Sequence, residues 1–122
     1  MLKPSVRILR VQMAEGPHCF PSIKPFGGKF GRWLDILVNN ACTVEFGPFL
    51  ESPDQSYDKH FDLSVRSLIE LSKDAAKRMT KSGWGRIINI GSVFGEAAPH
   101  PNVTLYIATK FAPSRIYSWA VA

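Results

Sequence analysis

"LDILVNN", residues 34 to 40, is an apolar run broken only by Asp35 and closed by two amides. A short continuous apolar run ending in polar residues is the pattern of a parallel strand buried on both faces. Its last residues then belong at the carboxyl edge of a sheet. A second run of the same kind, "RIINIG", occupies residues 86 to 91. The stretch between them decides how the two strands are joined.

That stretch carries a helix. Ser52, Pro53 and Gln55 form a start signal, with Ser as N-cap, Pro at the first helical position and Gln able to reach back. Tyr57, Phe61, Val65, Leu68, Leu71, Ala75 and Met79 recur at intervals of three and four, which predicts one buried stripe along a helix over 58–81. Lys77, Arg78 and Lys81 complement the dipole at its end, and Gly83 terminates it. Strand, long helix and strand make a βαβ unit.

"GSVFGEAAPHPNV", residues 91 to 103, reads as a loop at the carboxyl end of the second strand, where open α/β sheets bind ligands. "TLYIATKFA" resumes as a helix, with Asn102 or Thr104 as its cap, and Pro113 is expected to end or kink it. On that helix Tyr106 and Lys110 lie one turn apart on one face. A free phenol titrates near ~10, and a nearby ammonium favours the phenolate, so the pair suits proton transfer. Ser92, at the end of the second strand, is placed to hydrogen-bond a carbonyl while Tyr106 delivers or removes its proton.

Three segments in order resemble the short-chain dehydrogenase/reductase family of the plain, single-domain type. "LDILVNNAC" is similar to the family's N-N-A-G strand end, "GRIINIGSVFG" to its catalytic-serine strand and "YIATKFA" to its Tyr-Lys helix; together they cover residues 30 to 112. The resemblance implies an α/β fold, a partial Rossmann-type doubly wound parallel sheet consisting of the central βαβ unit and the Tyr-Lys helix. It implies NADP or NAD as cofactor and a small-molecule carbonyl or alcohol as substrate, such as a ketone or 3-oxoacyl group. Tyr106 is then the proton donor or acceptor, Lys110 the ribose-binding residue beside it, and Ser92 the group that orients the carbonyl. Asn39 is expected beside the adenosine ribose, with Asn40 and Ala41 shaping the same strand end. Cys42 stands where the family has glycine. Ser64, in "FDLSV", stands where an asparagine supports a water-mediated proton relay to the lysine.

The family's glycine-rich phosphate turn has no counterpart in strand-turn-helix context; "FGGKFG", residues 26 to 31, reads as a linker. Two readings therefore stand: an NAD(P)-dependent oxidoreductase, or a catalytically inactive family fragment that at most binds full-length relatives.

Composition bounds the rest. With 122 residues, 45% of them hydrophobic, the chain suits one small domain. The net charge of +5 lies in the first quarter, where residues 1 to 33 hold six basic side chains against Glu15 alone. Residues 1–30 are read as a poorly structured basic leader, open to a role in organelle import, and residues 31–122 as the partial nucleotide-binding domain. Charges that sparse do not make a nucleic-acid arm. The longest apolar runs fall far short of the ~18 residues of a membrane span. Cys19 and Cys42 fit neither a disulfide framework nor a zinc site, and His18, His60 and His100 form no cluster. Of the three, His100 borders the presumed substrate loop. A cytoplasmic protein able to associate with itself or with family members is the expectation.

Overall fold

The computed structural model describes residues 8–11, 34–95 and 100–116. Three parallel strands form one sheet in the order β1 (Ile8–Val11), β2 (Ile36–Asn39) and β3 (Arg86–Asn89). Leu37 lies opposite Leu9 on one side and Ile87 on the other, so the central strand is paired along both edges. The two strands read from the sequence are thus neighbours and parallel.

β1 was not expected. Residues 8–11 were assigned to an unstructured leader, yet they extend the sheet in register with β2. "ILRV" is too short to show a period and carries an arginine. An open strand edge, however, offers a row of backbone donors and acceptors that a brief segment satisfies whatever its side chains. Residues 1–7 and 12–33, "FGGKFG" included, lie outside the described residues.

The helix between β2 and β3 is longer than its stripe suggested. It comprises α1 (Asp54–Phe61), one π-helical turn over Asp62–Arg66, and α2 (Ser67–Ser82). Its N-cap is Pro53, and no side chain caps it. Ser52 instead closes a preceding 3₁₀ turn, its hydroxyl donating to the Pro48 carbonyl at 3.4 Å. Gly83 ends α2 in the left-handed conformation, at φ 74°, as its position implied.

The π turn changes which side of the helix is buried. Leu68, Leu71, Ala75 and Met79 face the core as the spacing predicts. Upstream, the buried positions are His60 and Ser64, while Tyr57 is half exposed and stacks on Phe61 at 4.4 Å on the outer side. One extra residue in a turn rotates every preceding position by about 100°, so a stripe counted at constant period drifts out of phase.

Leu34, Leu37, Ile87, Leu71, Ala75 and Met79 make the core between α2 and the sheet. The expectation that both strands are buried on both faces holds on this side only. Ile88 and Ile90 are 45% and 40% exposed.

The N-cap of α3 (Thr104–Arg115) is Val103, so neither Asn102 nor Thr104 caps it. Thr104 is already helical, and the Asn102 carbonyl accepts from the Gly47 N–H at 2.9 Å. Pro113 does not end the helix. It removes only its own N–H, and the Ile116 N–H still reaches the Ala112 carbonyl at 2.8 Å.

Gly85 sits where α2 returns to β3, and a Cβ there would lie 2.2 Å from Met79 Cγ and 2.6 Å from its Cβ. Gly85→Ala is expected to destabilise the fold by about 1–3 kcal/mol through overpacking, read as a lower urea midpoint at unchanged slope.

Candidate active site

β2 and β3 deliver their last residues to one edge, and α3 returns across it. Lys110 is 4% exposed, and its Nζ donates to the Ile90 carbonyl at 3.0 Å, just past the end of β3. The same ammonium lies 5.9 Å from the Tyr106 ring centroid. The one-turn spacing of the two residues therefore does bring cation and phenol together. Ser92 follows Ile90 by two residues, and its Oγ accepts from the Phe94 N–H at 3.3 Å, opening a short 3₁₀ turn over Val93–Gly95.

Ser64 and Lys110 meet although they come from different helices. Both line a small cavity of about 10 Å³, together with Asn39, Ala41, Leu68 and Pro113. Ser64 is 3% exposed and its Oγ has no partner among the described residues; the Oδ1 of Asn39 is in the same position. The π turn is the local reason that Ser64 points inward at all.

Asn39 is tied into the fold by its side chain. Its amide N–H groups donate to Ser72 Oγ at 3.1 Å and to Asn89 Oδ1 at 2.9 Å, and the Asn89 amide donates in turn to the Ile116 carbonyl at 3.1 Å. With both donors engaged inside the fold, Asn39 joins α2, β2, β3 and the end of α3. Ser72, Asn89 and the Ile90 carbonyl escaped sequence reading. Only Asn89, a polar residue near the end of an apolar strand, left a trace there.

The loop after β2 is fastened to α1 by charge. Glu45 pairs with Lys59 and accepts from the Ser56 hydroxyl. The Lys59 hydrogen bond, followed by that from Ser56, holds the Glu45 carboxyl below its usual value of 4.5. Beyond it, His100 lies edge-on to both Phe46 and Phe94, each ring pair 6.3 Å apart. Among the described residues no three His, Cys, Asp or Glu side chains gather as a metal site, and no helix is long and apolar enough to cross a membrane.

An α/β sheet whose carboxyl edge carries a buried lysine against a tyrosine one turn earlier defines the class to compare. The short chain dehydrogenase family matches residues 8–118, and the chain belongs to that family. It is 36% identical over 91 residues to the oxidoreductase UcpA of Escherichia coli, covering 75% of this chain and 34% of that protein. Against carbonyl reductase [NADPH] 2 of Sus scrofa the identity is 30% over 105 residues, covering 75% and 43%. A gluconate 5-dehydrogenase from Burkholderia cenocepacia, solved in complex with NADP and tartrate, superposes with a TM-score of 0.67 at 31% identity, over 76% of this chain and 36% of that one. The chain thus spans roughly a third to two fifths of the length of these relatives.

Two substitutions probe the supporting shell. Asn39→Ala leaves Ser72 and Asn89 without a shared partner and is expected to cost about 1–3 kcal/mol of stability, measured by urea denaturation. Glu45→Gln is expected to cost under about 1 kcal/mol at neutral pH, because the ion pair is exposed. The folded carboxyl titrates below its unfolded value, so its contribution is present above the ordinary carboxylate range and is lost as pH falls through the lowered value. Variant and parent should therefore converge in acid.

Proposed function

We propose that Tyr106 and Lys110 are the proton-transfer pair of an NAD(P)-dependent oxidoreductase that reduces a ketone or 3-oxoacyl group, or oxidises the corresponding alcohol. The observation that carries this reading is the buried Lys110 ammonium, tied to the Ile90 carbonyl and set beside the Tyr106 ring. An ammonium has three N–H groups, so two are left for a cofactor ribose and a water. Fixed there, the charge sits beside the phenol through which a proton would leave or return.

The described residues fit the nicotinamide-ribose end of the cofactor. Lys110 and the Tyr106 hydroxyl would hold it, with Ala41 supplying a small side chain at the end of β2. When bound, the dihydronicotinamide supplies a hydride equivalent to the carbonyl carbon. The protein's share is to orient that carbonyl through Ser92 Oγ and to pass a proton from Tyr106 Oη to its oxygen. One relative is an NADPH carbonyl reductase and another was solved in complex with NADP, which supports this cofactor class without choosing within it.

Ser64 completes the path. The cavity it shares with Asn39 and Lys110 has about the volume that one water needs, and the three side chains provide polar partners for it. Such a water would carry protons between Lys110 and solvent. Serine is shorter than the asparagine common here, and it serves by hydroxyl rather than amide.

The test is to purify the chain, assay ketone and 3-oxoacyl substrates with NADH and NADPH, and follow cofactor binding by calorimetry. Tyr106→Phe should lower turnover by about 10² or more and weaken cofactor binding only by the one hydrogen bond its hydroxyl would make, and Ser64→Ala should lower kcat with KM held. Turnover that survives Tyr106→Phe would overturn the assignment. Cofactor binding and turnover both absent from the parent chain would sink it for this chain and leave the inactive-fragment reading.

A further inference from the structure

Three aromatic rings meet where the loop after β2 approaches the loop after β3. The His100 imidazole lies edge-on to Phe46 from the first loop and to Phe94 from the second, at 6.3 Å in each case. Backbone hydrogen bonds hold this meeting in place. The Gly47 N–H donates to the Asn102 carbonyl at 2.9 Å, and the Val103 N–H to the His100 carbonyl at 3.4 Å, so both loops are fastened to the start of α3.

The rings nevertheless stay open to water, Phe46 at 73% exposure and Phe94 at 39%. Grouped apolar area beside a functional centre is the mark of a ligand site. The cluster begins next to Ser92, because the Phe94 N–H donates to Ser92 Oγ at 3.3 Å and the turn carrying Phe94 packs against α3. On the reading that Ser92 orients a carbonyl and Tyr106 moves its proton, we infer that Phe46, Phe94 and His100 select the substrate, a ketone bearing an aromatic ring.

The chemistry of the cluster separates three kinds of ketone. A polyhydroxy ketone would bring hydroxyl groups out of water against two phenyl rings, while the His100 Nδ1 already faces the Asn102 N–H at 3.5 Å. A flexible alkyl chain gains apolar burial but gives up rotamer freedom when it binds. A ring is rigid, and an edge-to-face or offset contact with another ring is worth about two- to tenfold in affinity beyond its area. The cluster therefore favours the ring.

The test is an NMR titration of the full chain, labelled with ¹³C-phenylalanine, against acetophenone, with 1,3-dihydroxyacetone as the hydroxylated control. Turnover of both ketones and of 2-butanone is then measured with NADH and NADPH. Acetophenone should shift the Phe46 and Phe94 ring signals saturably, with a Kd on the order of millimolar for so small a ligand. Dihydroxyacetone should not. Phe46 is exposed enough that Phe46→Ser spares the core; it assigns the Phe46 signals and should weaken acetophenone binding at least about threefold. In turnover, Phe46→Ser and Phe94→Ser should each lower kcat/KM for acetophenone relative to that for 2-butanone by at least about threefold; if Phe94→Ser fails to fold, Phe46→Ser decides. Saturable binding without turnover would support the aromatic site and overturn the reading of Tyr106 and Lys110 for this chain. An unchanged ratio in Phe46→Ser, or preference for dihydroxyacetone, would overturn the inference and leave that reading standing. Absence of a saturable shift would overturn it whatever the turnover.

Discussion

A buried ammonium has to find acceptors, and the site is organised around how Lys110 finds them. Taking that charge out of water is unfavourable unless oxygen atoms surround it. The Ile90 carbonyl supplies the first of these, just beyond the point where β3 ends and its carbonyl is no longer claimed by a neighbouring strand. For the contact to form, α3 must return over the sheet's carboxyl edge, which also brings Tyr106 there. The closeness of Tyr106 and Lys110 at this edge therefore follows from the end of a strand as much as from the helix that carries them.

The irregularity in the long helix bears on the same site. A uniform α-helix would present Tyr57, Phe61 and Val65 in line with Leu68, an apolar face with nothing to offer Lys110. The π turn over Asp62–Arg66 instead turns Ser64 and His60 inward and leaves Tyr57 and Phe61 outside. π turns cost hydrogen-bond geometry and appear most often at functional sites. Here the irregularity places a hydroxyl in the cavity that Lys110 borders.

What the sequence could reveal divides along physical lines. β2, β3 and the Leu68–Met79 stripe were legible because burial at a fixed period leaves a pattern. Gly83 was legible because a left-handed cap has few alternatives. The pairing of Tyr106 with Lys110 was readable from helical spacing. The upstream half of the stripe was not, since nothing in "HFDLSVR" announces an added residue in the turn. β1 escaped because backbone pairing at an open edge makes little demand on side chains. The hydrogen bonds of Asn39 were not legible for another reason: position at a strand end says where a residue lies, but not which way its amide turns.

That amide shows how the supporting frame and the chemistry are linked. Asn39 spends its donors on Ser72 and Asn89, and Asn89 spends its own on the Ile116 carbonyl, beyond Pro113. α2, β2, β3 and the end of α3 are thus joined through hydrogen-bonded side chains. The carbonyl oxygen of Asn39 is the one part of this chain of bonds left over, and Asn39 lines the same cavity as Ser64 and Lys110. A frame bond and a site contact therefore share one side chain. Any shift of α3 that loosened Ile116 from Asn89 would be felt at the ammonium, because the same helix carries both ends.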